Sequence, residues 1–181
     1  MQKGFYLDTR ICVACYSCVT ACKNWNGVAP EVNARPGTQG PKWRRVTTVE
    51  LGSYPDARIV NISLSCMHCG KPACMSVCPV DAISKRAEDG IVVVDRSKCI
   101  GCHACATACP FGVPQYGEDG TMQKCNYCLD RTLKGQEPAC AATCPAGALR
   151  AGTMEELSQL ANKKAARRLV ASSNPSTWLN K

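Results

Sequence analysis

The sequence predicts an α+β chain made of two small units of one kind, one inserted in the other, with an extra β-hairpin and a C-terminal helix. Three observations carry that prediction. Sixteen of the 181 residues are cysteine, and they fall into four groups of four with none left over. Two kinds of half-motif recur around those groups. Between the first and second groups lie two β-branched runs that belong to neither half-motif.

The groups come first. Cys12, Cys15, Cys18 and Cys22 are spaced C-x2-C-x2-C-x3-C, and Cys99, Cys102, Cys105 and Cys109 repeat that spacing. Cys66, Cys69, Cys74 and Cys78 read C-x2-C-x4-C-x3-C, while Cys125, Cys128, Cys140 and Cys144 read C-x2-C-x11-C-x3-C. The first and third groups match the bacterial ferredoxin run, in which three close thiolates hold one 4Fe–4S cube and the fourth cysteine serves a neighbouring cube. That fourth cysteine is expected on the first turn of a helix, pointing away, with a following proline ending the local turn. Zinc is the plain alternative. It needs two C-x2-C knuckles about a dozen residues apart. The fourth group alone could be such a ribbon, but four cysteines within eleven residues leave no second knuckle. Histidine replaces no ligand, and His68 and His103 read as loop residues within the cysteine runs.

The half-motifs set the topology. Asp8 to Cys15 (D-x-x-x-C-x-x-C) matches Asp95 to Cys102, and Cys78 to Ile83 (C-P-x-x-A-I) matches Cys144 to Leu149. A ferredoxin unit needs one half of each kind. The second and third groups supply them in order, joined by a hairpin of Ile83–Lys85, a turn at Glu88–Gly90, and Ile91–Asp95. Residues 66–121 therefore form one complete unit. The first and fourth groups are the complementary pair in the opposite order, so residues 1–23 and 122–150 form a second, split unit. The turn at Gly117–Gly120 leads back to it.

With each fourth cysteine crossing over, four ligand sets follow. They are Cys12, Cys15, Cys18 with Cys144; Cys22 with Cys125, Cys128, Cys140; Cys66, Cys69, Cys74 with Cys109; and Cys78 with Cys99, Cys102, Cys105. All sixteen are expected iron ligands of four 4Fe–4S clusters.

Residues 24–65 hold a Pro- and Gly-rich loop from Val28 to Pro41, then a hairpin of Trp43–Leu51 and Arg58–Ser65. In 151–181, Thr153 and Glu156 form a capping box opening a helix with Leu157, Leu160, Ala161 and Leu169 along one face. That helix is a candidate partner contact, and Trp178 and Leu179 follow it in the tail.

Charge and composition exclude several functions. The formal charge is +8. Four cluster sites of about −2 each contribute about −8 and cancel it, so a phosphate-binding surface is not implied. The short basic pieces at Trp43–Arg45 and Lys163–Arg168 read as solvated faces, with no nucleic-acid partner. Lys23, Lys98 and Lys124 adjoin ligands and read either as solvated or as tuning a nearby cluster. The N-terminus lacks an export signal, and no apolar run spans a bilayer. The protein is thus expected to be made in the cytoplasm and to stay there, or to reach a membrane or be exported through partners. Phosphate-binding glycine motifs and nucleophile–base sets are absent, so no catalytic residue is expected.

These four groups, the hairpin beginning Trp43-Arg44-Arg45-Val46, and the pieces Cys78-Pro79, Cys99–Cys102, Cys109–Gly112 and Cys144-Pro145 resemble the four-cluster electron-transfer subunits of the dimethyl sulfoxide reductase family. The likeness covers about residues 4–150. It implies a large catalytic partner with a molybdenum or tungsten pterin, and beyond it a membrane anchor or soluble redox protein. It also implies the same crossed pairing. Formate dehydrogenase relatives add a membrane helix, and nitrate reductase relatives lose a cysteine of the third group. Here Cys102 is present, so a 4Fe–4S cluster is expected there rather than 3Fe–4S. A polyferredoxin-like subunit of a hydrogenase or formate–hydrogen system is the alternative of the same class, and a zinc-rich interaction module the alternative of another.

Overall fold

The computed structural model describes residues 1–28 and 40–171. Most of the expected Val28–Pro41 loop, and Trp178 and Leu179, lie outside the described residues, as does the side chain of Leu169. Two short antiparallel ladders organise the molecule. Strand β1 (Lys3–Leu7) pairs with β8 (Leu149–Thr153), placing Leu7 opposite Leu149. Strand β4 (Ile83–Lys85) pairs with β5 (Val92–Val94), placing Ile83 opposite Val94. The ladders end alike. Asp8 N donates to Ala148 O at 2.8 Å, and Asp95 N donates to Ala82 O at 2.8 Å. The first ladder joins residues over 140 apart in sequence, whereas the second closes over one hairpin.

Helix packing repeats the likeness. Helix α1 (Ser17–Trp25) packs on α5 (Ala139–Ala142), and α3 (Ala104–Ala108) packs on α2 (Ala73–Ser76). Helix α1 contains both cysteines of its C-x3-C step, whereas α2, α3 and α5 are about one turn long and contain only the first of the two. This corrects the expected position of the fourth cysteine. Cys74, Cys105 and Cys140, the third members of their groups, lie within the one-turn helices. Cys78, Cys109 and Cys144 follow the helix ends, and Cys22 lies well inside α1. A helix one turn long cannot hold both cysteines of a C-x3-C step on its first turn.

The insertion is the expected hairpin, with β2 (Arg45–Leu51) paired to β3 (Arg58–Leu64). Trp43 Nε1 donates to Gln123 Oε1 at 2.9 Å, tying the hairpin to β7 (Met122–Gln123). Strand β7 pairs with β6 (Gln115–Tyr116) around the return turn. Helix α4 (Leu129–Thr132) is tied to the end of α1, because Trp25 Nε1 donates to Asp130 Oδ2 at 2.7 Å and Arg131 stacks on the Trp25 ring.

Helix α6 (Met154–Ala171) starts at the expected capping box. Thr153 N donates to Glu156 Oε2 at 2.8 Å, and Glu156 N donates to Thr153 Oγ1 at 3.2 Å. Leu157 is buried, with Leu160 and Ala161 half-buried beside it, and the helix lies on β1 and β8. The apolar stripe of the helix is thus seated on the protein's own ladder.

Among the described residues, cysteines make up a third of the buried hydrophobic core, 7 of 21 residues. One cluster gathers Cys18, Val19, Cys22, Cys140 and Leu149, and a second gathers Ile83, Val92, Cys105 and Met122. A third joins Cys66, Val113 and Cys125 between them.

Candidate iron–sulfur sites

Each C-x2-C loop places the residue before its second cysteine in the left-handed region. Ala14 has φ 52°, His68 45°, Gly101 67° and Tyr127 63°. Such a residue turns successive backbone N–H groups toward one concave side, which suits anionic sulfur. Several N–H groups already reach thiols. His68 N donates to Cys66 Sγ at 3.5 Å, Tyr127 N to Cys125 Sγ at 3.4 Å, and Met122 N to Cys99 Sγ at 3.3 Å. Ala82 N donates to Cys78 Sγ at 3.3 Å and Leu149 N to Cys144 Sγ at 3.4 Å.

The loops bring distant cysteines together. Cys12, Cys15, Cys18 and Cys144 line one pocket, walled by Leu7, Val13, Val46 and Leu149. Cys78, Cys99, Cys102 and Cys105 line a matching pocket, walled by Ile83, Val94, Ile100 and Tyr116. Asn26 Nδ2 lies 3.8 Å from both Cys22 Sγ and Cys128 Sγ, so these two thiols from opposite ends of the sequence share one neighbour. Burial pushes the Cys22 thiol up, as do the negative charges of Cys125, Cys140 and Cys128 nearby. Cys140 rises to about 11, mainly through burial, with Cys125 and Cys128 adding to it. The Cys74 thiol is raised by burial first, and by Cys66 and Cys109 among its neighbours. Thiols held up in this way stay protonated in water at neutral pH, and a metal that binds the thiolate displaces their protons.

Among the described residues no three Cys, His, Asp or Glu side chains converge closely enough to hold one metal ion. Tetrahedral zinc draws four sulfurs to about 2.3 Å from a single centre. A 4Fe–4S cube instead takes four thiolates, each on its own iron. Two orphaned donors point the same way. Val92 N donates to His68 Nδ1 at 3.0 Å, which assigns the ring proton to Nε2, and that buried Nε2 has no partner. Arg44 Nε is likewise buried without a partner. A sulfide or thiolate would satisfy either one.

The basic residues divide by position. Lys98 is exposed beside Asp95. Lys124 is 4% exposed, and its Nζ donates to Val92 O and to Cys125 O. Arg45 binds the carbonyls of Phe111 and Gly112. Arg44, read from sequence as part of a solvated basic piece, is 2% exposed. Its only signal in the sequence was the general need of buried thiolates for cations. His103 is exposed, with its ring 3.8 Å from that of Tyr116, whereas His68 is buried under Tyr127.

Tyr127 locks the fourth group to the first ladder. Its hydroxyl donates to Gly4 O at 2.7 Å and accepts from Gly152 N at 3.0 Å. On the other side of the same region, the inserted hairpin reaches the first group. Asn61 Nδ2 donates to Cys12 O at 3.0 Å, and Ser63 Oγ lies 3.4 Å from Cys18 Sγ. Among the described residues no helix is long and apolar enough to cross a membrane.

Known proteins carry the same pattern. Residues 58–154 match the 4Fe-4S dicluster domain family, and residues 10–25 match a 4Fe-4S binding domain. A probable anaerobic dimethyl sulfoxide reductase chain of Escherichia coli (strain K12) is 43% identical over 87% of this sequence and 77% of its own. A second anaerobic dimethyl sulfoxide reductase chain of the same organism is 43% identical over 86% of this sequence and 76% of its own. A sulfite dehydrogenase subunit of Allochromatium vinosum is 38% identical over 81% and 67%. With 4Fe–4S domains over most of its cysteines and relatives that are subunits of oxidoreductase complexes, this protein belongs to the iron–sulfur electron-transfer subunits of the dimethyl sulfoxide reductase family.

Proposed function

We propose that the protein relays single electrons through four 4Fe–4S clusters to or from a catalytic subunit holding a molybdenum or tungsten pterin, and has no catalytic site of its own. The ligands are four crossed sets: Cys12, Cys15, Cys18 and Cys144; Cys22, Cys125, Cys128 and Cys140; Cys66, Cys69, Cys74 and Cys109; Cys78, Cys99, Cys102 and Cys105. The architecture is two ferredoxin-like units, one inserted in the other. Each cluster, when bound, supplies a one-electron couple. The protein's own part is to bury the thiolates, point N–H donors at sulfur and exclude water.

The observation that carries this reading is the convergence of Cys144 on the loop of Cys12, Cys15 and Cys18, more than 120 residues away. Its counterpart is Cys78 meeting Cys99, Cys102 and Cys105. The pterin partner rests on the relatives, which are chains of dimethyl sulfoxide reductases and of a sulfite dehydrogenase.

Metal analysis of anaerobically purified protein tests the count. About sixteen iron and sixteen acid-labile sulfide per polypeptide are expected. About four zinc with substoichiometric iron would sink it. Affinity isolation of the full-length protein from its host should bring down a large subunit containing pterin and molybdenum or tungsten.

A further inference from the structure

The inserted hairpin carries a buried cation with no carboxylate partner. Among the described residues Arg44 forms no ion pair. Its Nη1 donates to Ser63 Oγ at 3.0 Å and its Nη2 to Ser65 Oγ at 2.8 Å. Its guanidinium carbon lies 4.4 Å from the centre of the Phe5 ring, and Nε has no partner at all. Taking a guanidinium out of water costs several kcal/mol unless an anion compensates. Neutral hydroxyls and one aromatic face do not supply that charge. Thiolates do. Burial would drive Arg44 toward its neutral form, yet Cys140, Cys125, Cys18 and Cys22 together hold its affinity for the proton above the ordinary value. Cys140, Cys125 and Cys22 belong to one proposed ligand set, and Cys18 belongs to another. The contact with Cys18 is relayed, because the Ser63 hydroxyl that accepts from Arg44 also lies 3.4 Å from Cys18 Sγ.

We propose that Arg44 is a shared internal counter-charge that raises the reduction potentials of two clusters, the one held by Cys12, Cys15, Cys18 and Cys144 and the one held by Cys22, Cys125, Cys128 and Cys140. The proposal rests on the four-cluster reading above. The physical step is simple. Reduction adds one electron and no proton or bond to a site that already carries about −2, so a fixed cation beside it favours the reduced form. Arg44 stays protonated throughout. Its partners Ser63 and Ser65 hold the fork in place, which makes it a positioning residue acting through charge. The segment leading into the hairpin then has a role: it delivers this charge to the first and fourth cysteine groups.

The test uses the full, cluster-loaded protein, with each potential followed by electron paramagnetic resonance in a mediated redox titration. Arg44→Gln should make reduction of the cluster on Cys22, Cys125, Cys128 and Cys140 at least tenfold less favourable, a fall of about 59 mV for one electron. A fall is also expected at the cluster on Cys12, Cys15, Cys18 and Cys144, and none at the cluster on Cys78, Cys99, Cys102 and Cys105. Arg44→Lys, which keeps the charge, should recover at least half of the shift. Unchanged potentials, an equal shift at all four clusters, or Arg44→Lys behaving as Arg44→Gln would overturn the proposal. Should Arg44→Gln fail to assemble, loss confined to the two flanking clusters with all four kept in Arg44→Lys supports it. Loss of all four clusters in both variants refutes it. Wild-type iron content tests the four-cluster reading separately, and the Arg44 comparison is made between samples of equal iron content.

Discussion

At the residue scale, the four left-handed positions before the second cysteines are not equivalent. Ala14 shows that φ near 52° tolerates a Cβ in one loop, at a cost of roughly 1–2 kcal/mol. Gly101 holds the same place in the third group, but a Cβ there would stand 2.8 Å from the carbonyl oxygen of Gly120. Glycine is required at 101 by the turn packed against it, since φ alone admits a Cβ in the other three loops. Gly101→Ala should therefore destabilise its loop by about 2 kcal/mol, roughly a thirtyfold change in local opening, whereas Ala14→Gly should leave its loop unharmed. The rate of cluster bleaching in guanidinium, compared between the two variants, checks this. Equal bleaching in both would mean that the approach of Gly120 is not limiting.

At the element scale, α6 is part of the fold through three contacts. The capping box starts it, Leu157 seats on the small residues Gly4 and Gly152, and Lys164 reaches Asp8 Oδ2 at 3.3 Å. Asp8 is also gripped by Arg10, at 3.1 Å from Nε and 2.9 Å from Nη2. Hydrogen bonds from Arg10, and then from Lys164, hold the Asp8 carboxyl down at about 2 against the opposing effect of burial. Because this value is depressed, the stabilisation is complete above the ordinary aspartate value of about 3.9 and is lost as pH falls toward about 2. The stability gap between wild type and Asp8→Asn should be level from about pH 8 to about pH 5 and should narrow below about pH 4. Denaturant titrations across that range measure it, and a gap that shrinks between pH 8 and 5 would assign it to another group. Thr153→Ala should cost the helix about 1 kcal/mol through loss of the cap.

At the scale of the whole molecule, the proposed crossed ligand sets would join distant parts of the sequence. If the proposed sets are right, Cys22→Ser and Cys125→Ser disturb one common cluster, and Cys12→Ser disturbs another. Electron paramagnetic resonance during a redox titration can follow each signal as it shifts or converts to 3Fe–4S. A signal altered by both Cys22→Ser and Cys12→Ser but spared by Cys125→Ser would break the crossed assignment and the split-unit topology with it. The count of four clusters would survive. The same topology puts the β1–β8 ladder under the control of Tyr127, whose hydroxyl bonds both strands.

The sequence by itself determined the four cysteine groups, the two hairpins and the capping box, because each rests on spacing within a few residues or on strand and cap chemistry that acts locally. Its repeated half-motifs also pointed to which distant groups meet. Tertiary structure alone decided where charge sits. Arg44 and Arg45 are adjacent in sequence, yet one is buried against thiols and the other binds carbonyls near the surface. Arg44 stands one residue before β2 and Arg45 opens it, and only the packing around that entry decides which of the two is buried. Likewise Lys124 and Lys98 each precede a cysteine, and the packing of β5 against Lys124 is what separates them. The position of the fourth cysteines escapes the sequence for a related reason: C-x3-C spans one turn of helix, and spacing does not reveal where that turn begins.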